Sequence, residues 1–264
     1  MNKDSYKKLL LKKGKEAITC LTAYSFPFAK ILDGLVDLIL IGDSVGTTIY
    51  GMKNTRNVSL AMMKNHAKAV VKISNLSMTI VDMPYNTYKT KKESLKNALD
   101  ILKFTKADFV KIETDIRNVE IVKFLSDNNI DVVSHIGVNP QKFSDFRKIR
   151  SVGKNLNEIN KLVKLAIKLE EAGSKLIVLE CVTIAASKLI TKKLSIPTIG
   201  IGSSKYCDGQ VLVIDDMLNF DSDFKKPKYV KKYMNVEREI KKAVQKFVYD
   251  VKNKKFPSNK NSYK

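Results

Sequence analysis

LILIGDS, residues 38–44, runs through four aliphatic residues and closes on a glycine, an aspartate and a serine. The same grammar recurs in SMTIVDMP (77–84) with Asp82, FVKIE (109–113) with Glu113 and KLIVLE (175–180) with Glu180. An acid at the end of an apolar run sits where a buried strand meets its loop. Parallel strands of one sheet bring such ends to a single rim, so four of them predict one site. Carboxylates converge on a water-poor rim when something positive holds them, and a hard divalent cation is the simplest candidate. The pattern points to an enzyme.

Outward from these runs, strands alternate with helical patterns, the signature of repeated βα units. Strand candidates are 18–23, 38–43, 77–82, 109–113, 131–136, 175–180, 197–202 and 210–214. Between them, Leu60, Met63, Ala67 and Val70 share helical spacing, as do Leu95, Ala98, Leu99 and Leu102, and then Val119, Val122 and Leu125. Ile159, Leu162, Val163, Ala166, Leu169 and Ala172 continue the rhythm, and Gly173 stands where a left-handed residue ends a helix. Thr90 and Glu93 have capping-box spacing. This arithmetic predicts an α/β chain folded as a (β/α)8 TIM barrel, with an N-terminal helix and a C-terminal helical extension. Periodicity alone leaves a doubly wound open sheet as the alternative. The expected organisation is one domain over 1–264, with a lysine-rich helix carrying Val230, Met234, Val244, Phe247 and Val251, and a loose tail, from about 226.

Composition sets the bounds. With 264 residues, 44% of them apolar, the chain can bury one large core. Its longest apolar stretches, such as 35–42, fall short of the roughly 20 residues of a membrane helix. The N-terminal stretch MNKDSYKKLLLKKGKEA does not read as a signal peptide, so a cytoplasmic location is expected. Cys20, Cys181 and Cys207 form no CxxC pair and are read as buried thiols. The formal charge of +21 suggests nucleic acid as a partner. The excess is mostly lysine spread over polar helix faces, with arginine at 56, 117, 147, 150 and 238, which favours a solvated surface over a base-reading one. Such a field also draws in small anionic substrates.

ITCLTAYSFPFAKILD (18–33), LILIGDSVGTTIYG (38–51), VDMPYNTY (81–88), VKIE (110–113), HIGVNPQ (135–141), IVLECV (177–182), IPTIGIG (196–202) and CDGQVLV (207–213) occur in this order. Together they resemble the ketopantoate hydroxymethyltransferase family from about residue 4 to about 220. The resemblance implies a (β/α)8 barrel, Mg2+, and 5,10-methylenetetrahydrofolate as one-carbon donor to 3-methyl-2-oxobutanoate in pantothenate biosynthesis. It also implies a homo-oligomer, decameric in bacteria. HIGVNPQ stands where members usually have HIGLTPQ, and RKIRSVG (147–153) where they carry a loop with GGY.

Residue by residue, the resemblance makes Asp43, Asp82 and Glu113 the metal ligands, with Asp43, Ser44, Asp82, Lys111 and His135 at the keto acid and Glu180 as proton acceptor. Lys111 alternates with Val110 and Ile112, so it points into the barrel, where an ammonium needs an anionic partner. That partner is the substrate or an internal carboxylate. Ser44 also suits a turn, and His135 a buried structural role. Burial at the end of IVLE should raise the pKa of Glu180, whose other reading is a further metal or lysine partner. His66 is read as packing or surface, Cys181 as core, and Gly200–Gly202 as a tight turn. Two other functions remain open: a magnesium-dependent keto-acid C–C lyase of the same barrel type, for which a reactive-cysteine motif is missing, and a basic nucleic-acid-binding protein.

Overall fold

Eight strands pair side by side in chain order, every pair parallel: β1 (Ile18–Thr22), β2 (Leu38–Ile41), β3 (Met78–Asp82), β4 (Phe109–Glu113), β5 (Val132–Gly137), β6 (Leu176–Glu180), β7 (Thr198–Ile201) and β8 (Gly209–Leu212). β1 then closes on β8 through Ile18 opposite Gly209 and Cys20 opposite Val211, which makes a barrel and removes the open-sheet alternative. This computed structural model describes residues 3–145, 149–220 and 226–263. It divides into two compact units, one ending at Val213 and the other beginning at Ile214. Arg147 and Lys148, the first two residues of the altered loop, lie outside the described residues.

In the first unit the helices are α1 (Lys3–Lys12), α2 (Phe26–Leu32), α3 (Val45–Thr48), α4 (Leu60–Val71), α5 (Lys91–Thr105), α6 (Val119–Asp127), α7 (Leu156–Glu171) and α8 (Ile184–Lys193). Their buried stripes are those expected from spacing: Met63, Ala67 and Val70 on α4, and Val163, Ala166 and Leu169 on α7. Gly173 follows α7 with φ +99°. Thr90 caps α5 by accepting the Glu93 N–H, but the Glu93 carboxylate takes the N–H of Lys89 rather than that of Thr90. No helix separates β7 from β8, which are joined directly by residues 202–208.

Strand alternation fills the barrel axis with Leu38, Leu40, Ile80, Phe109, Val133, Leu176, Val178 and Ile199, joined by Leu9 of α1. Each such fully buried side chain contributes roughly 1.5–3 kcal/mol. Tyr6 of α1 packs on this cluster and donates its hydroxyl to the Lys175 carbonyl, closing the N-terminal end of the barrel. The same alternation continued toward the other end places Asp82 after Ile80, Lys111 and Glu113 after Phe109, His135 after Val133 and Glu180 after Val178. The apolar floor therefore orients the polar rim.

Register brings these side chains side by side, since Asp82 lies opposite Lys111, Glu113 opposite His135, and Gly137 opposite Glu180. Gly137 has φ +102°, and a Cβ there would sit 2.3 Å from the Glu180 carbonyl oxygen. We expect Gly137→Ala to lower stability by at least about 2 kcal/mol, from backbone strain and overpacking combined. Urea denaturation checks this, and an unchanged midpoint would remove Gly137 from the account of how Glu180 is placed.

In the second unit, α9 (Ile214–Leu218) and α10 (Val236–Lys252) are the helices among the described residues. α10 starts later than the apolar pattern suggested, because the Asn235 side chain accepts the Arg238 N–H and leaves Val230 and Met234 ahead of the helix. The tail beyond it contains a 3-10 turn at Asn259–Asn261. No described helix is long and apolar enough to cross a membrane.

Candidate active site

The inward positions of β3 to β6 form a connected line. Lys111 Nζ lies 3.0 Å from Asp82 Oδ1 and 3.4 Å from His135 Nδ1. On its far side, His135 Nε2 lies 3.3 Å from Glu180 Oε2. Asp43, just past β2, donates its backbone N–H to Asp82 Oδ2 at 3.0 Å. Its own carboxylate accepts from Gln141 Nε2 at 2.8 Å. The Gln141 backbone N–H in turn donates to both oxygens of Glu113, at 3.2 and 3.1 Å, and its side-chain oxygen accepts from the Tyr88 hydroxyl. The structure thus brings Asp43, Asp82, Lys111, His135 and Glu180 into direct contact, and links Glu113 to them through Gln141.

Burial makes this cluster electrostatically tense. Asp43, Asp82, Lys111, Glu113 and His135 are all buried, while Glu180 is partly open, its side chain 12% exposed. Burial and then the charge of Asp82 push the Asp43 carboxyl up to about 7. Burial and the charge of Asp43 push Glu113 well above the usual carboxylate range. For Lys111, burial alone would lower the pKa, but the charges of Asp82, Asp43 and Glu113 outweigh it and hold the ammonium above its ordinary value. Burial, with the Lys111 charge behind it, lowers His135 and favours a neutral imidazole.

Three carboxylates around one ammonium leave an excess of negative charge that a divalent cation would relieve, and hard oxygen donors suit Mg2+. Asp43 and Asp82 fit that role as an adjacent buried pair. Glu113 is engaged by the Gln141 N–H, and among the described residues no three His, Cys, Asp or Glu side chains stand at metal-holding spacing. Asp43 and Asp82 thus offer an adjacent pair of hard oxygen donors, and Glu113, linked to Asp43 through Gln141, keeps lone pairs for the same cation.

Other expected residues fall at the margins. Ser44 precedes α3 without capping it by its side chain, and its Oγ lies 2.7 Å from the Tyr24 hydroxyl. His66 is tied to its surroundings by Nδ1 at 2.6 Å from the Tyr24 carbonyl and Nε2 at 3.0 Å from the Tyr50 hydroxyl. Cys20 and Cys207 are buried, whereas Cys181 is only partly buried. Its left-handed φ of +51° turns the chain out of β6 instead of continuing the strand into the core. Burial and the neighbouring Glu180 push its thiol up to about 12, so it is a poor nucleophile. Gln141, Tyr88 and Tyr24 are the rim residues that sequence reasoning missed. Uncharged and without periodicity, they were visible only as members of HIGVNPQ, VDMPYNTY and TAYS.

Residues 4–259 match the family described as ketopantoate hydroxymethyltransferase. Among curated relatives, the 3-methyl-2-oxobutanoate hydroxymethyltransferase of Anaplasma marginale (strain St. Maries) is 44% identical over 252 residues, covering 96% of this chain and 90% of that protein. The protein of the same name from Pelagibacter ubique (strain HTCC1062) is also 44% identical over 252 residues, covering 96% of each. Among solved structures, phosphoenolpyruvate phosphomutase from Streptomyces platensis subsp. rosaceus superposes with a TM-score of 0.62 at 9% identity, over 95% of this chain and 87% of that one. At that identity the likeness concerns the fold alone.

Proposed function

Because this chain belongs to the ketopantoate hydroxymethyltransferase family, we propose that its barrel rim transfers a hydroxymethyl group from 5,10-methylenetetrahydrofolate to 3-methyl-2-oxobutanoate with the aid of Mg2+. The observation that supports this reading is the line Asp82, Lys111, His135, Glu180, in which the buried ammonium and the partly open Glu180 carboxylate stand on either side of one imidazole. Asp43 and Asp82 would hold the cation, with Glu113 behind them. When bound, Mg2+ supplies Lewis-acid polarisation of the 2-oxo group, which eases loss of the carbon 3 proton.

The protein's own groups supply the rest. The Lys111 ammonium binds the keto acid by charge-assisted hydrogen bonding, and Ser44 flanks it. Glu180, at the partly open end of the line, takes the proton from carbon 3. Water adds to the one-carbon unit and its carbon–nitrogen bonds to folate break, so that tetrahydrofolate leaves; the carbon nucleophile then adds to the formaldehyde-level carbon, and the resulting alkoxide takes up a proton to become the hydroxyl. The basic surface draws both anionic substrates toward the rim. A cytoplasmic homo-oligomer is the setting in which we place this chemistry.

The test is a single-turnover reaction with the keto acid and methylenetetrahydrofolate, run with and without magnesium. Formation of 2-dehydropantoate only when the metal is present supports the reading, and no product under either condition would overturn it. A sharper expectation concerns Lys111. Lys111→Met should weaken keto-acid binding by at least about tenfold, in line with the loss of a hydrogen bond to a charged group, and methylenetetrahydrofolate binding far less. Equal losses for the two ligands, measured by calorimetry, would reduce Lys111 to a partner of Asp82.

A further inference from the structure

The position of the proton on His135 follows from its neighbours. A lysine ammonium carries three N–H donors and no lone pair, so His135 Nδ1, 3.4 Å from Lys111 Nζ, must be the acceptor. The hydrogen of the neutral ring then sits on Nε2, which lies 3.3 Å from Glu180 Oε2. Among the described residues, this nitrogen is the one group within ion-pair reach of the Glu180 carboxylate. Nε2 makes no hydrogen bond across this contact in the structure, and catalytic contacts are often misaligned before substrate arrives and tighten with it.

We propose that Lys111 locks His135 in its Nε2–H tautomer and that this N–H steers the Glu180 carboxylate, so that His135 is a positioning residue for the base. Three adjacent strands enforce the arrangement. Lys111 and His135 continue the inward alternation of β4 and β5, and the register of β5 with β6 sets Gly137 opposite Glu180, placing the carboxylate beyond the imidazole. Burial and the Lys111 charge, which keep the ring neutral, act in the same sense. His66 provides the internal contrast: its Nδ1 donates to the Tyr24 carbonyl, so its Nε2 accepts from the Tyr50 hydroxyl and its tautomer is the opposite one.

The effect on catalysis rests on reading Glu180 as the base, whereas the tautomer does not. With only two histidines in the chain, 15N-histidine labelling and long-range proton–nitrogen correlation of the full-length protein resolve both rings, and His66→Gln assigns them. We expect His135 protonated at Nε2 alone, and loss of that preference in Lys111→Met. A ring protonated at Nδ1, or a tautomer indifferent to Lys111→Met, would overturn the proposal.

Its catalytic half is read by exchange of the carbon 3 proton of the keto acid into deuterated solvent, measured without folate. The amide nitrogen of glutamine reaches about as far as Nε2, and that of asparagine only as far as Nδ1. His135→Gln should therefore keep most of the exchange rate, and His135→Asn should lose at least about tenfold in rate with KM for the keto acid little changed. Equal losses in the two variants, accompanied by a rise in KM, would make His135 merely structural. If the wild-type protein exchanges no proton at all, the reading of Glu180 fails while the spectrum still decides the tautomer.

Discussion

Glu180→Gln is expected to slow exchange of the carbon 3 proton of 3-methyl-2-oxobutanoate by about 10²–10⁴-fold, the usual range for loss of a positioned general base. The substitution keeps size and hydrogen-bonding reach and removes only the basic lone pair. Binding should survive it. Glu180 takes no part in the Asp43–Asp82 pair or in the Lys111 ion pair, so substrate and magnesium affinities should stay near wild type. NMR in deuterated solvent without folate isolates this step from carbon transfer. Exchange at the wild-type rate would assign the base to another group.

The second large effect is expected at Asp43 and Asp82, the proposed metal ligands. Asp43→Asn and Asp82→Asn should each weaken magnesium binding and cut turnover by at least about tenfold, equivalent to about 1.4 kcal/mol or more of lost stabilisation. Asp82→Asn should be the worse of the two. Asp82 is at once the ion-pair partner of Lys111 and the acceptor for the Asp43 N–H, so neutralising it leaves a buried ammonium undercompensated. Asp43 is braced by Gln141 and loses less when its charge goes. Steady-state rates over a magnesium titration decide the matter, and full activity of either variant at low magnesium would refute the assignment.

The two effects are expected to differ because the proposed metal pair and the proposed base lie apart on the rim. Negative charge is concentrated at Asp43 and Asp82, positive charge at Lys111, and the proposed base lies beyond His135. A substitution on the metal side should raise the magnesium requirement, and one on the base side should not. Combining Asp82→Asn with Glu180→Gln would test whether the imidazole couples the two sides, since residues in contact along one line of charged groups depart from additivity.

Sequence alone was enough to locate the strands, the acids at their ends and the inward face of Lys111. An apolar run that ends in an acid is a local property, so LILIGDS, SMTIVDMP, FVKIE and KLIVLE could be read without knowing their neighbours, and the orientation of Lys111 followed from Val110 and Ile112 beside it. The family was legible for the same reason, because its motifs are contiguous strings. The remainder depends on closure and register. Closure set β1 beside β8 and chose the barrel over the open sheet. Register set Asp82 against Lys111, so that the internal ion pair is formed in the protein itself. Contacts between groups distant in the chain, such as Gln141 with Asp43 or His135 with Glu180, leave no periodic trace in sequence because their partners arrive from other strands and loops. The turn at Cys181 was equally hidden, since a left-handed φ at a cysteine is imposed by the path from β6 to the next loop and not by the residue's own preference.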